Sequence, residues 1–497
     1  MALTPIDLPP GFFRNGTRYQ TAARWYDGNL IRWVDGALRP IGGWTRVSAT
    51  PLARKSRAIF AWRTNSGGRW LAIATSNQLV VTRADGQIFD ITPAGFSSGN
   101  DDAVEQLGYG GGNYGVGSYG TPRAGGTFIA PMTWQLDAWG DNLVGCARND
   151  GRLYQWGLAT GTPAGVIANA PINCLGLLVS DQRHLIAFGA GANRRKVQWS
   201  GKENNTLWAP AADNEAGGFE LQTPGEYMRA WRVRGVYLVL TDVDAHVMEY
   251  IGQPYIFRRE RLANGCGIVG PGAGAIAGSD AVWMGANKFW MFDGGVREVP
   301  CEVADYVFTD INLFQAHKFM CGYNSAFNEV TWWYCSAGAT EPNRYVTWNR
   351  KDNCWYFGSM PRTAWQDKDV FPQPLAMGTD NHLYRHEEGW LDAGASRLAS
   401  IFVASGALEL DVGDRIGNIN QILPDEKNRG AVTVGFTTKY TPNDVAEYNF
   451  GPYLVRPDGY TDARASGRQV VMTLRPTVDD DFRVGRFRFD IIPGGNR

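Results

Sequence analysis

The chain has 497 residues, 48 Lys and Arg against 49 Asp and Glu, 44% hydrophobic residues and 61 glycines. That length supports two or more domains or one large repetitive architecture, and the net charge of -1 excludes tight, charge-driven binding of nucleic acid, which needs a strong basic excess. The 19 Trp, 20 Tyr and 23 Phe, set among so many glycines, point to strands joined by tight turns rather than to helices.

From the N-terminus, Met1 to Pro10 show no basic region followed by an apolar run, so no signal peptide is expected. No stretch reaches the roughly 18 apolar residues of a membrane span. Beyond residue 54 one unit recurs: an apolar strand ending in a small or polar residue, a turn, then a strand carrying Trp, Tyr or Phe. It begins at Leu71, Leu143, Leu185, Tyr237, Ala281, Glu329 and Leu375. Runs such as Val236 to Leu240, Ala281 to Met284 and Val330 to Tyr334 carry the apolar and aromatic residues of strands. With Ala74, Cys146, Phe188, Leu240, Met284, Tyr334 and Met377 as markers, the spacings are 72, 42, 52, 44, 50 and 43 residues. Propeller blades repeat at roughly 40 to 50 residues. The long first gap holds an insertion, Gly108 to Gly120, whose Tyr-Gly composition builds no core of its own.

The expected fold is therefore all-β. Residues 54–390 form an irregular β-propeller of six or seven blades, and residues 391–497 form a separate β-sandwich-like module. An N-terminal segment, residues 1–53, packs on that module, and Pro5 to Trp44 are candidates to complete it. The module is read from alternating apolar and polar residues after Ser396, punctuated by Pro424, Pro442, Pro452, Pro457 and Pro476. A set of unrelated hairpins in one sandwich is the competing reading. Helical spacing recurs only from Glu302 to Lys318, where Val303, Val307, Ile311 and Phe314 predict one helix.

The chemistry-bearing motifs are weak. Gly115, Gly117 and Gly120 spell a dinucleotide pattern in low-complexity sequence, and Gly272 with Gly274 precedes a strand, not the helix such a site requires. His382 and His386 would share a face on a helix, but along a strand they lie about 13 Å apart; a solvated strand face is expected for them. His184, His246 and His317 have no Cys or second His nearby in sequence. Asp479 to Asp481 read as a polar turn, and Glu387 and Glu388, adjacent in a strand, point to opposite faces rather than forming an acid–base pair. The seven cysteines, Cys146, Cys174, Cys266, Cys301, Cys321, Cys335 and Cys354, contain no C-x-x-C pair and read as buried free thiols of a protein folded in the cytosol. The basic runs Arg194 to Lys196 and Arg258 to Arg261 read as solvated faces or subunit contacts. No catalytic residue, cofactor or metal site is expected. Exposed Trp would allow sugar stacking, so a carbohydrate-binding or carbohydrate-cleaving propeller is the alternative function, although most Trp of an all-β chain belong in the core.

Several stretches carry a resemblance: Asn15 to Trp33, Gly36 to Trp44, the Tyr-Gly run ending in Thr121 to Arg123, Val197 to Ser200 with Glu203 to Trp208, Cys266 to Val269 with Val282 to Gly285 and Met291 to Gly294, and Glu329 to Tyr334 with Tyr345 to Asn349 and Cys354 to Gly358. In their order along the chain they resemble the tail nozzle, or tail hub, proteins of short-tailed bacteriophages. The resemblance implies a propeller-containing structural subunit of the virion tail, folded in the host bacterial cytoplasm, in a homo-oligomeric ring, a hexamer. Its implied partners are the portal and adaptor proteins above it, a tailspike or fibre, a needle or plug protein, and DNA that passes without tight binding. It implies no catalytic residues.

Because the Tyr-Gly insertion interrupts the blade spacing and carries no core pattern, deleting Gly110 to Ser118 is expected to leave the melting temperature of the isolated protein nearly unchanged. A large drop in a thermal melt of the deletion variant would contradict this.

Overall fold

The computed structural model describes residues 3–17, 20–83, 86–106, 127–410, 415–440, 444–456 and 458–495. The Tyr-Gly stretch Gly108 to Gly120, with its Gly115, Gly117 and Gly120, lies outside them. Seven antiparallel four-stranded sheets follow one another along the chain. They occupy 56–90, 134–166, 176–220, 227–264, 274–299, 320–359 and 362–386, the last completed by Trp44–Arg46. These are the blades of a seven-bladed propeller. Each of the seven markers used to count the repeat falls on the second strand of its blade, from Arg69–Thr75 in the first to Leu375–Gly378 in the seventh.

The second strand carries the clearest signal because it is covered on both faces by the neighbouring blades. Leu185–Phe188 and Asp280–Met284 are buried throughout, as a doubly covered strand requires. Apolar layers fill the spaces between blades, and the layer joining blade seven to blade one closes the ring: Ala364, Leu375 and Met377 meet Ile59, Leu71 and Ile73. Tryptophans also bridge blades through their indole N–H groups. Trp134 of blade two donates to the Thr75 carbonyl of blade one at 2.8 Å, Trp332 of blade six to Ala273 at 3.1 Å, and Trp365 of blade seven to Tyr323 of blade six at 3.0 Å. A buried indole thus gives its area to the core and satisfies its one donor.

The C-terminal region forms two sheets. One runs Trp25–Asn29, Phe402–Ser405, Gln469–Pro476, Val432–Lys439 and Tyr448–Leu454; the other runs Leu3–Ile6, Phe487–Pro493, Gly417–Leu423 and Thr461–Gly467. Val432–Lys439 alternates buried and half-buried residues along its length, the pattern of a strand with one face in a core. Ile419, Ile422, Phe436, Met472 and Phe489 lie in that core. Each sheet contains one strand from the start of the chain. A hairpin, Ile31–Val34 with Ala37–Pro40, then leads to Trp44–Arg46, the fourth strand of blade seven. The described residues up to Arg46 are therefore shared between the two bodies.

At the joint, the buried Arg32 guanidinium lies between two carboxylates. Its terminal nitrogens donate to Glu387 at 2.6 and 3.0 Å, and its Nε is 3.1 Å from Glu329 in a geometry too oblique for a hydrogen bond. Asn324 holds Glu387 at 3.0 Å, and the Phe327 ring lies 3.8 Å from the guanidinium. A second buried arginine, Arg397, donates to the carbonyls of Ile41 at 2.8 Å and Gly42 at 3.1 Å.

The single helix expected over Glu302 to Lys318 is instead two short pieces, Ala304–Thr309 and the 3-10 turn Leu313–Lys318. Between them Ile311 pairs with Ser336, and the Asn312 N–H reaches the Cys335 carbonyl at 2.9 Å. This tertiary pairing breaks the helix and leaves Phe314 41% exposed while Val303 and Val307 stay buried.

Removing one member of a buried ion pair leaves an uncompensated charge, at a cost of about 3–5 kcal/mol. Arg32→Met is expected to lose stability of that order in a denaturant titration; a loss below about 1 kcal/mol would contradict the clamp. Burial lifts the Glu329 carboxyl from its ordinary 4.5 to about 7, against the pull of Arg32. A raised carboxyl contributes stability that is complete below 4.5 and lost as pH rises through about 7. Glu329→Gln should therefore flatten the fall of stability across that window, and an unchanged pH profile would show that Glu329 does not titrate there.

Candidate functional site

The residues that sequence reading weighed as chemical groups are dispersed, and each is engaged structurally. His386, expected on a solvated strand face, is buried. The N-terminal strand Trp44–Arg46 pairs over its strand, its ring stacks on Trp44 at 5.2 Å, and its Nε2 accepts from Arg362 Nε at 2.8 Å. Burial, with the positive Arg362 and Arg397 beside it, holds it well below the usual histidine range, so it stays neutral. The covering strand lies more than 300 residues away in sequence, which is why local pattern misplaced it. His382 is half-buried against the Ser48 carbonyl at 3.1 Å. His184 contacts the Ser200 carbonyl at 2.8 Å and Glu215 at 3.2 Å, and His246 sits 3.0 Å from Asp244.

Glu387 and Glu388 follow the third strand of blade seven, Leu383–His386, rather than lying within it, because Glu387 has a positive φ of 58°. They diverge: Glu387 binds Arg32, while Glu388 lies 3.3 Å from Arg385. Asp481 takes two hydrogen bonds from Arg39 at 3.0 and 3.1 Å, and Asp479 accepts the Arg397 N–H at 3.0 Å, so the acidic run helps fix the N-terminal segment to the sandwich. Gly272 and Gly274 meet a packing need: a Cβ would stand 2.5 Å from the Phe319 carbonyl in the first case and 2.5 Å from Trp231 in the second. Among the described residues no group of three or more His, Cys, Asp or Glu is placed to hold a metal, and no helix is long and apolar enough to cross a membrane.

The principal concavity is the axial cavity, about 520 Å³, lined by the first strands of six blades. At one end Glu341 accepts two bonds from Arg57, at 2.7 and 2.8 Å, and one from Lys318 at 3.0 Å; Lys318 also reaches Asp102 and the Thr340 carbonyl. Burial alone would raise Glu341, but these bonds hold it below the usual carboxylate range. Beside them His317 is pushed down to about 3 by burial and by the charges of Arg148 and Arg194. Asp367 also lines the cavity, where burial raises its carboxyl despite two contacts from the Ser325 N–H. None of Arg57, Arg229, Lys318 or Glu341 stood out in the sequence, since each is a charge in or beside a strand that belongs to no local motif.

The basic runs are largely paired. Arg194 meets Glu226, Arg195 is 4.0 Å from Glu220, Arg258 is 2.6 Å from Glu249, and Arg261 is 3.7 Å from Asp244.

No family model matches the chain, and no curated protein matches its sequence. Among solved structures it is similar to virginiamycin B lyase from Staphylococcus aureus, an enzyme, at 8% identity over 69% of this chain and 98% of that one, with a TM-score of 0.43. It is also similar to a streptogramin B lyase, at 9% identity over 68% and 95% with a TM-score of 0.38, and to the WD40 β-propeller domain of Doa1, at 10% identity over 69% and 96% with a TM-score of 0.35. The seven-bladed assignment rests on the sheet topology, and no activity is carried over from these proteins.

The cysteines are free, six of them buried and Cys301 half-buried. Burial pushes all seven thiols up, Cys266 to about 11 and Cys174 and Cys335 to about 12. A thiol reagent at pH 8 should modify at most Cys301 in the native protein and all seven after denaturation; rapid native labelling of any other thiol would contradict the burial.

Proposed function

We propose that this chain is a structural, non-catalytic subunit of a phage tail machine: a nozzle or hub protein that forms rings below the portal and adaptor, lines the DNA-ejection passage and carries tail appendages. The observation that carries the reading is where the phage-like segments fall. Asn15 to Trp33 and Gly36 to Trp44 supply the sandwich strand, most of the hairpin and the first residue of the blade-closing strand, and Glu329 to Tyr334 supplies the carboxylate that faces Arg32. Some of the segments on which the resemblance rests thus tie propeller and sandwich together, as a rigid ring subunit needs. Closed blades leave only short sheet edges, and the two ends of the subunit offer different surfaces for the heterologous contacts of a ring. Ion pairing within the basic runs suits a wall past which DNA moves without being held. All 19 Trp are buried or half-buried, which leaves few stacking platforms for sugars, and so the structural reading is preferred to a carbohydrate-directed one.

In this role the protein is expected in washed tailed particles at several copies per virion, and its absence from them would overturn the proposal. The free protein should give no mobility shift with duplex DNA at about 0.15 M salt; retention with a steep salt slope would place a DNA-binding groove on it instead.

A further inference from the structure

The first strands of six blades border the cavity, and residues from both faces of these strands reach it. They include Phe60 on blade one, Trp134 and Leu136 on blade two, Ile276 on blade five and Trp365 on blade seven. On blade four they are Arg229 and Trp231. Arg229 thus brings a cation to the cavity from the inner strand of blade four.

The other cations that border the cavity are neutralised: Arg57 and Lys318 share Glu341, and Lys318 also takes Asp102. Arg229 differs. Among the described residues no carboxylate comes within ion-pair distance of it and no side-chain hydrogen bond engages it. The carboxylate whose field reaches it, Asp137, is already bound by Arg232 at 2.9 Å and by the Val179 N–H at 2.8 Å. Nearby, Arg148 and Arg194 both bind Glu226, with Asp242 beside them, so Glu226 is likewise engaged elsewhere. The buried His317, which also lines the cavity, has an Nδ1 with no hydrogen-bond partner. An arginine held in a partly desolvated space without a counter-ion is costly, and a ligand anion removes that cost.

We infer that the axial cavity is a binding site for a small organic anion, its carboxylate or phosphate group on Arg229 and its apolar body against the apolar part of the cavity wall. A cavity of about 520 Å³ falls within the size range of small-molecule sites. The guanidinium fork binds either oxyanion in a bidentate manner. This site is independent of the proposed tail role.

The test is calorimetric titration of the full chain with benzoate and with phenyl phosphate, the two sources of the anion, beside inorganic phosphate and benzyl alcohol as the separate halves. One aromatic anion should bind at 1:1 with a Kd of about 1 mM or tighter, and each half should bind at least about tenfold more weakly. Arg229→Met should weaken binding roughly tenfold or more without lowering the melting temperature, because it removes an unpaired cation rather than a paired one. Arg258→Met, on the outer strand of the same blade, should change neither. No binding of either aromatic anion at about 10 mM, equal binding of inorganic phosphate, or binding unaffected by Arg229→Met would overturn the assignment. A large loss of melting temperature in Arg229→Met would give the arginine a structural role instead.

Discussion

The architecture depends on a strand exchanged over a long sequence distance. Trp44–Arg46 closes blade seven, and the described residues before it are woven into both sheets of the sandwich. Hydrogen bonds along one short strand are worth little individually. What fixes the joint is the pair of buried arginines beside it. Arg32 binds carboxylates from blade six and from the turn after blade seven, and Arg397, from the sandwich, holds the carbonyls of Ile41 and Gly42. Both are nearly inaccessible, so each bond forms in a medium of low dielectric, where a missing partner is expensive. Register follows: a slip of one residue in Trp44–Arg46 would turn Trp44 away from His386 and misplace the hairpin that presents Arg32.

From this joint follows a mechanical property. In many propellers a closing strand ties the ring only to itself; here it ties the ring to a second body. One apolar cluster runs from blades four to seven through Phe12, Trp25 and Trp33 into the sandwich core of Ile419, Phe436 and Phe489. Continuity of packing makes relative motion of the two bodies costly. For a proposed ring subunit, that stiffness would let contacts made at one end of the molecule be felt at the other.

The propeller was legible because its signal is local and repeated. A strand buried on both faces is largely apolar, and such strands from Ala74 to Met377, 42 to 52 residues apart after a first gap of 72, point to six or seven blades, of which the structure has seven. The alternation after Ser396 was legible for a related reason, since a half-buried sheet imposes a period of two. What local pattern misread depends on distant partners. His386 looked solvent-facing because Trp44 is more than 300 residues away, and the helix over Glu302 to Lys318 looked continuous because Ser336 and Cys335, which interrupt it, lie beyond the window. The axial charges were invisible for the same reason: Arg57 and Lys318 both meet Glu341 only when blades one and six are brought together around the axis. A lone arginine at an inward strand position, as Arg229 is, has no sequence signature of its own.

The central claim is that the N-terminal segment is an integral part of one cooperative body rather than an appended arm. Native-state hydrogen exchange of the full chain tests it directly. The account predicts that amides of Ile31–Val34 and Trp44–Arg46 exchange in the same slow class as the inner blade strands and Phe402–Ser405, through global unfolding alone. Rapid, independent exchange of those two strands while the blades and the sandwich remain protected would contradict it.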